Sequence, residues 1–188
     1  MWHIPHKEVE QKYKLLREGA RVLVLEVVQK ELPAASLLVL TDINDAALAE
    51  AMSKWPRFWD WHSVVARYRR KPRRVELAIW SSSELCGLAV GRVSPSRVVA
   101  SIHYLQAAPK GHPLQGNIAL IATRFLEAFG VMIGAEKVAL ERPESSLVDF
   151  YKGLGYSETK IKKSGCVAIA APRRQMAVDV DRFQRAKL

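Results

Sequence analysis

The stretch Val148-Asp149-Phe150-Tyr151-Lys152-Gly153-Leu154-Gly155-Tyr156 joins a short helical pattern, a glycine stop and an aromatic residue that opens a strand. Its apolar side chains recur at the spacing of one helical face, at Leu147, Phe150, Tyr151 and Leu154. Gly155 suits the left-handed position that ends a helix. The stretch therefore predicts an amphipathic helix that carries Tyr151. From these residues alone, Tyr151 is either a functional hydroxyl or an ordinary half-buried aromatic.

The segment before this helix predicts a regular succession of elements. Val98 to Ala107 alternates as a strand, and the apolar run from Lys137 to Glu141 is typical of another. Between them, apolar residues recur at helical spacing at Ile118, Ile121, Ala122, Phe125, Leu126 and Phe129. The order is strand, loop, helix, strand, helix, strand. A loop that opens onto a helix N-terminus directly after a strand presents unpaired N–H groups and is suited to bind an anion.

This order, together with the Tyr151 helix, resembles the GNAT superfamily of acyl-CoA-dependent N-acetyltransferases. The resemblance implies an α/β (α+β) fold with a central mixed, mostly antiparallel sheet of about six to seven strands flanked by helices. It spans about 36–171 as the acetyltransferase domain. Residues 1–35 are then an N-terminal helical extension packed on the domain, and residues 172–188 a basic C-terminal tail.

The resemblance also implies an activity, the transfer of an acetyl group from acetyl-CoA to a primary amine. In the family, the tyrosine at the position of Tyr151 stands next to the CoA sulfur and protonates it as the thiolate leaves. Backbone N–H groups near the end of the fourth strand contact the acetyl group and the pantetheine; here that strand end is Leu105, Gln106 and Ala107.

A base for the amine proton is less evident, because Val98 to Ala107 contains no Asp or Glu. The candidates are His103, which the alternation places on one strand face with Ser101 and Leu105, and Glu141, which ends the next strand. Each has a structural alternative, since a strand histidine is often a hydrogen-bonded core residue and a strand-end glutamate is often solvated. A missing base need not prevent turnover, because holding the two reactants close together can by itself supply much of the reduction in the activation barrier.

GNAT enzymes bind the CoA pyrophosphate on a motif of the form Gln/Arg-x-x-Gly-x-Gly/Ala. The best register here is Leu114-Gln115-Gly116-Asn117-Ile118-Ala119, with Leu114 in place of Gln/Arg, Asn117 in place of the first glycine, and Ala119 matching. Asn tolerates a left-handed backbone better than other non-glycine residues, so the amide cradle is expected to survive. The expected pyrophosphate-binding residues are Gln115, Gly116, Asn117, Ile118 and Ala119. The altered motif keeps open the alternative of a binding module without catalysis.

Composition and charge bound the remaining choices. The 188 residues are 49% hydrophobic and 26% charged, which suits one well-buried domain. The net charge is +10, and six of the eight residues from Arg67 to Arg74 are basic. With a second basic stretch from Lys160 to Lys163, this run predicts a face that binds a polyanion, or else a solvated surface. The acceptor is accordingly a small molecule, a protein or an RNA, such as the aminoacyl end of a transfer RNA that some toxin members of the superfamily acetylate.

Several classes of protein are not indicated. No apolar stretch approaches the roughly 20 residues of a membrane helix, and the first residues lack a secretory signal, so we expect a cytoplasmic protein. Cys86 and Cys166 lie in predicted strands without Cys-x-x-Cys spacing, which favours buried free thiols. The histidines show no zinc spacing, so no metal is expected.

The other elements follow from periodicity. An N-terminal helix carries an apolar seam that packs on the sheet or forms a homodimer interface: Val9, Tyr13, Leu16, Ala20, Leu23 and Val27. Strands are predicted at Ser36 to Leu40 and Ser164 to Ala170, and a hairpin joins Arg74 to Ser81 with Leu85 to Val93. Two helices lie between Asn44 and Tyr68, the second with Phe58, Trp61, Val65 and Tyr68 on one stripe. By resemblance they form a wall of the acceptor pocket lined by Trp55, Trp59 and Trp61, unless these tryptophans are simply core.

Overall fold

The computed structural model describes residues 6–96, 98–160 and 174–179. The α-helices in these ranges are α1 (His6–Glu31), α2 (Asp45–Lys54), α3 (Trp61–Arg69), α4 (Ile118–Ile133) and α5 (Val148–Gly153). The strands are β1 (Leu38–Thr41), β2 (Arg74–Ser81), β3 (Glu84–Val93), β4 (Val99–Ala107), β5 (Lys137–Glu141), β6 (Ser157–Lys160) and β7 (Arg174–Asp179). Short 3₁₀ turns at Pro33–Ala35 and Ser145–Leu147 precede β1 and α5.

The described strands form one seven-stranded sheet in the order β1-β2-β3-β4-β5-β7-β6. Its pairs are antiparallel except for β4 and β5, which run parallel and are joined by α4 as a crossover helix. The predicted mixed, mostly antiparallel sheet with flanking helices and an additional N-terminal helix is therefore confirmed.

Helices cover both faces of the sheet and give it two hydrophobic cores. On one face, α1 and α4 pack against each other and on β1 to β5; the core there includes Leu77 and Ile79 of β2 and Phe125 and Phe129 of α4. On the other face, α2 and α3 pack on β2 and β3 through Leu48, Trp61, Leu88 and Val90. Because side chains alternate along a strand, neighbouring residues of β2 and β3 contribute to opposite cores.

The face that α1 buries differs from the predicted seam. Tyr13 and Ala20 are buried as expected, but Leu23 and Val27 are 37% and 41% exposed. The helix is rotated because it buries two charged side chains, Arg17 and Arg21, which the apolar pattern does not reveal. Since α1 packs on α4 and β1, its buried face is an intramolecular contact; a homodimer remains a prediction.

Between β1 and β2 the predicted helices form, with one shift at an end. The side chain of Asn44 accepts a hydrogen bond from the Ala47 amide at 2.9 Å and caps α2, as its position predicts. Helix α3, however, begins at Trp61 after an Asp60 cap, so Phe58 lies in the preceding loop and not on the helical stripe. Trp55 and Trp61 are core residues. Strand β1 begins at Leu38, two positions after the predicted Ser36.

The C-terminal predictions are only partly within the described residues. The strand expected at Ser164 to Ala170, together with Cys166, lies outside them. Arg174–Asp179 forms β7 between β5 and β6, so residues 174–179 of the predicted tail (residues 172–188) lie in the sheet. The apolar triplet from Met176 to Val178 accounts for this strand. Cys86 is buried with a free thiol, as predicted, and no helix in the described ranges is long and apolar enough to cross a bilayer.

Candidate active site

A cleft opens where β4 and β5 separate. The two strands pair from Val99 to Ile102, and beyond Ile102 their register ends. The cleft between the diverging strand ends has a volume of about 550 Å³. Its lining comprises Phe58, Trp59, Ile102, His103, Tyr104, Leu105, Gln106, Ala107, Ile118, Ala119, Leu140, Glu141, Arg142, Pro143, Glu144, Leu147 and Tyr151. It thus contains all three predicted catalytic residues and five of the eight predicted acetyl-CoA-binding residues.

A β-bulge in β4 prepares the opening. Val90 of β3 faces Tyr104, but Gly91 faces Ile102, so His103 is the extra residue on β4. At the bulge the backbones of β3 and β4 lie so close that only glycine fits at position 91. A Cβ atom on Gly91 would lie 1.8 Å from the carbonyl oxygen of Ser101. The bulge also corrects the predicted alternation: His103 turns toward α3, whereas Leu105 packs against the core on the opposite face.

His103 is held between two hydroxyl groups. Its Nδ1 lies 2.8 Å from the Tyr68 hydroxyl oxygen, and its Nε2 lies 2.8 Å from the Ser101 hydroxyl oxygen. Burial, with Arg92 and Lys71 nearby, lowers the pKa of His103 to about 4. The imidazole is therefore neutral at neutral pH, with both ring nitrogens engaged.

Tyr151 lies on the opposite wall, on the buried side of α5. Its side chain is 3% exposed, and burial, with a smaller effect of Glu144, raises the pKa of its hydroxyl to about 12. The backbone carbonyl of Tyr151 accepts a hydrogen bond from the Tyr156 amide at 3.0 Å, while the Tyr156 hydroxyl donates to the buried Glu127 carboxylate at 3.1 Å. Gly155 adopts the predicted left-handed conformation, with φ at 89°. The Tyr151 hydroxyl is thus a protonated donor on a fixed helix end.

The end of β5 supplies the charged groups of the cleft. Glu141 is the last residue of the strand, and Glu144 follows after a turn. Arg142 between them has a φ of 53°, a left-handed conformation that is costly for a residue with a side chain. Sequence patterns gave no indication of Arg142, since neither its type nor its neighbours suggest a positive φ.

The turn before α4 differs from the expected phosphate loop in one respect. Gly116 is the left-handed residue, with φ at 82°, whereas Asn117 has a φ of −107°, so the predicted left-handed role of Asn117 is wrong. The amides of Gln115 and Asn117 bond within the turn, to the carbonyls of His112 and Leu114. The described residues supply no acceptor for the amides of Gly116, Ile118 and Ala119. Of the five residues predicted to bind the pyrophosphate, these three therefore have backbone N–H groups that remain available to a ligand.

The motif position occupied by Leu114 has a structural role. Leu114 is fully buried in the core beneath α4, so it anchors the turn and does not extend toward a ligand. Gln115, Gly116 and Asn117 form the turn but do not line the cleft.

Aromatic side chains surround the other end of the cleft. Phe58 and Trp59 are 76% and 43% exposed, and the Trp59 ring packs edge-on against Tyr104 at 5.0 Å. Of the three tryptophans predicted for this wall, Trp59 lines the cleft. Gln106 fixes the loop that carries it, because its side chain accepts a hydrogen bond from Trp61 and donates to the Pro56 carbonyl.

The basic run from Arg67 to Arg74 does not form the single face that its sequence predicts. Arg74 is half-buried and ion-paired with Glu10 and Glu76. Arg69 pairs with Asp45 at 2.9 Å. Arg67 instead donates to the Tyr104 hydroxyl, at the edge of the cleft. In the second basic stretch, Lys162 and Lys163 lie outside the described residues.

Within the described ranges, no group of three or more His, Cys, Asp or Glu side chains is placed to hold a metal ion.

The sequence matches no protein-family profile and no curated protein. The fold, in contrast, is similar to that of solved N-acetyltransferases. Against the spermidine/spermine N-acetyltransferase SpeG of Vibrio cholerae, the TM-score is 0.60 over 82% of this chain and 99% of that chain, at 13% identity. Against the ribosomal-protein-S18-alanine N-acetyltransferase of Escherichia coli, it is 0.57 over 76% and 94%, at 14% identity. These neighbours have the GNAT fold, and the chain described here has that fold as well.

Proposed function

We propose that the chain is an N-acetyltransferase that moves an acetyl group from acetyl-CoA to a primary amine by direct attack. The observation that carries the proposal is the convergence, on one cleft between β4 and β5, of Tyr151, Glu141 and the first turn of α4. The fold neighbours, which are amine acetyltransferases by name, support the reaction class.

The groups along the cleft suit the parts of acetyl-CoA. The amides of Gly116, Ile118 and Ala119 are suited to the pyrophosphate, because a helix N-terminus favours an anion. Beyond Ile102, β4 no longer pairs with β5. The backbone N–H and C=O groups of Leu105 to Ala107 on that edge can therefore bind the pantetheine and the acetyl carbonyl. Leu114 cannot supply the side-chain contact of the motif, so phosphate binding rests on backbone donors.

The reaction requires one proton to leave the amine and one proton to reach the sulfur. The amine nitrogen attacks the thioester carbon, the carbon–nitrogen bond forms, and the carbon–sulfur bond breaks as the electron pair leaves with sulfur. Tyr151, protonated at neutral pH, donates to that sulfur. An ordinary thiol has a pKa of about 8.5, well below that of Tyr151, so the hydroxyl first stabilises the developing thiolate as a hydrogen-bond donor. When its proton passes to the sulfur, the phenolate regains one from solvent, and the proton taken from the amine leaves to solvent, which balances the reaction.

Glu141 is the better candidate for the base. A carboxylate at neutral pH accepts a proton directly or through water. His103 has a pKa of about 4 and two cations nearby, and both of its nitrogens are engaged. We infer that His103 maintains the bulge and orients Tyr68 and Ser101, and that Glu141 receives the amine proton.

Calorimetry tests the proposal. Coenzyme A should bind, and pantetheine, which lacks the pyrophosphate, should bind at least about tenfold more weakly, since hydrogen bonds to charged groups contribute about 1.5–3 kcal/mol. No heat at about 1 mM CoA, roughly the weak end of measurable affinity, would exclude the proposal. Binding without transfer to any of a panel of amines would favour a GNAT-fold binding module.

An RNA-borne amine is a second candidate for the acceptor. Exposed Phe58 and Trp59 at the cleft resemble the aromatic platforms on which unpaired bases stack, and Arg67 donates to Tyr104, against which Trp59 packs. Retention of transfer RNA across a salt series tests this candidate. Affinity should fall steeply with salt, and charge reversal of Arg67 should flatten the slope by about one unit, for one lost phosphate contact.

A further inference from the structure

We infer that Arg67, Lys71 and Arg92, here called the basic rim, bind an anionic group that the acceptor carries beside its amine. The inference rests on the proposed function and specifies the acceptor as an amine with a phosphate or carboxylate close by.

Arg67 is on α3, Lys71 lies in the segment that follows α3, and Arg92 is on β3, and the charges of all three act on the contacting pair Tyr68 and His103. Arg67 donates to the Tyr104 hydroxyl at 3.3 Å, and the Lys71 ammonium lies 5.1 Å above the Tyr68 ring. Arg92 is on β3, two residues beyond Val90, whose side chain belongs to the core under α2 and α3, so Arg92 points to the same face of the sheet.

The aromatic and imidazole groups between these cations connect them to the cleft. Tyr68 contacts His103 and lies edge-on to Tyr104, and both of these partners line the cleft. Arg92 is opposite Ser101 in the register, and the Ser101 hydroxyl lies 2.8 Å from His103. The basic rim therefore borders the cleft at the end that also holds Trp59, away from the α4 amides assigned to CoA.

The cations of the rim are not neutralised in the way that their neighbours are. Among the described residues, no ion pair joins a carboxylate to Arg67, Lys71 or Arg92, whereas Arg69 pairs with Asp45 and Arg74 with Glu10 and Glu76. All three are exposed residues. Three converging cations without a carboxylate partner favour an anion, and a polycationic amine would be repelled there.

The geometry assigns each end of such an acceptor. The amine faces Glu141, which lines the cleft, and the anionic group faces the rim. A short phosphorylated amine and the terminal nucleotide of an RNA share this chemistry, and experiment can separate them.

The first experiment does not depend on turnover. Protein with ¹⁵N-labelled histidine is saturated with CoA, which occupies the α4 amides, and inorganic phosphate is added at pH 7. The ring signals of His103, which lies among the rim cations, should shift in a saturable manner. The shift should persist in Arg69→Gln, a matched control in the same basic run, and should be lost in the triple variant Arg67→Gln, Lys71→Gln, Arg92→Gln. A wild-type response no larger than that of the triple variant would overturn the inference.

The second experiment uses matched amines and acetyl transfer. We expect kcat/KM for O-phosphoethanolamine to exceed that for ethanolamine by about tenfold or more, from one charge-assisted contact. The triple variant should abolish this preference and Arg69→Gln should not, and spermidine should be the poorest of the three. Equal kcat/KM values for the two ethanolamines, with no shift of His103 by a short RNA oligonucleotide, would also contradict the role of the basic rim. Equal kcat/KM values with a shift of His103 by the oligonucleotide would assign the anionic group to RNA.

The two proposals fail in different ways. Absence of CoA binding defeats the acetyltransferase proposal and leaves the phosphate response of His103 measurable on the free protein. CoA binding with a silent His103 and no preference for a phosphorylated amine defeats the rim alone.

Discussion

At the scale of single residues, burial shifts the pKa values of two groups of the cleft away from neutral pH. Desolvation disfavours the charged form of any group, so it raises the pKa of Tyr151 and lowers that of His103. Both are therefore neutral at pH 7, Tyr151 as a donor and His103 as a hydrogen-bonded spacer. Of the three proposed catalytic residues, Glu141 is therefore the one that takes up the amine proton.

Replacement of Tyr151 by phenylalanine tests its role as the donor to sulfur. Tyr151→Phe should slow the chemical step by about 10²-fold or more, because the hydroxyl interaction forms only as the thiolate develops. The affinity for CoA should stay within a few fold. Single-turnover kinetics with calorimetry measures both quantities. An unchanged rate of acetyl transfer would identify Tyr151 as an ordinary aromatic of the helix.

The low pKa of His103 predicts how stability depends on pH. Between about pH 4 and 6.5, the unfolded chain binds a proton on this imidazole that the folded chain does not, so the fold loses stability as the pH falls. The loss from this group is on the order of 3 kcal/mol between pH 7 and pH 4. Urea unfolding of wild type and His103→Gln at both values isolates it, because His112, whose pKa is also lowered, is common to both proteins. If the free energy of unfolding changed with pH equally in both proteins, protonation of His103 would not destabilise the fold.

At the scale of elements, the cleft results from the bulge in β4 and from the short register between β4 and β5. The sequence predicts the strands themselves, since alternation and apolar runs mark Val99–Ala107 and Lys137–Glu141. It does not predict the bulge, because one inserted residue leaves no mark in the pattern and yet moves Leu105 to the other face. The Tyr151 helix was predictable because spacing and a glycine stop coincide there.

Gly91 is the position on which the bulge depends. Gly91→Ala would bring a Cβ atom to within 1.8 Å of the Ser101 carbonyl oxygen, and backbone cannot yield as a flexible side chain does. We expect a loss of several kcal/mol or an insoluble protein, within the range of severe core substitutions, about 4 kcal/mol or more. Gly153→Ala is the control, because no atom lies within 4 Å of its added Cβ. Equal stability of the two variants would mean that β3 and β4 can separate without cost.

At the scale of the whole molecule, the N-terminal helix is attached to the sheet by charge as well as by apolar packing. Arg17 is fully buried and pairs with Glu10 at 3.3 Å, Asp42 at 3.2 Å and Glu76 at 3.7 Å. Arg74 joins the same cluster from β2. Periodicity predicted that α1 packs on the domain but not how it is oriented, because an arginine in an apolar seam is ordinarily assigned to the surface.

Arg17→Met should destabilise the protein by about 3 kcal/mol at pH 7, since removal of one partner leaves buried carboxylate charge poorly compensated. Lys14→Met, which removes an exposed pair with Glu18 on the same helix, should cost less than about 1 kcal/mol. The defect of Arg17→Met should shrink in acid. Burial already raises the pKa of Glu76, and loss of Arg17 raises it further, so protonation as the pH falls removes the uncompensated charge. Urea unfolding of both variants at pH 7 and pH 5 provides the comparison. A defect in Arg17→Met that is no larger than that of Lys14→Met, or that grows in acid, would mean that apolar packing alone holds α1 on the domain.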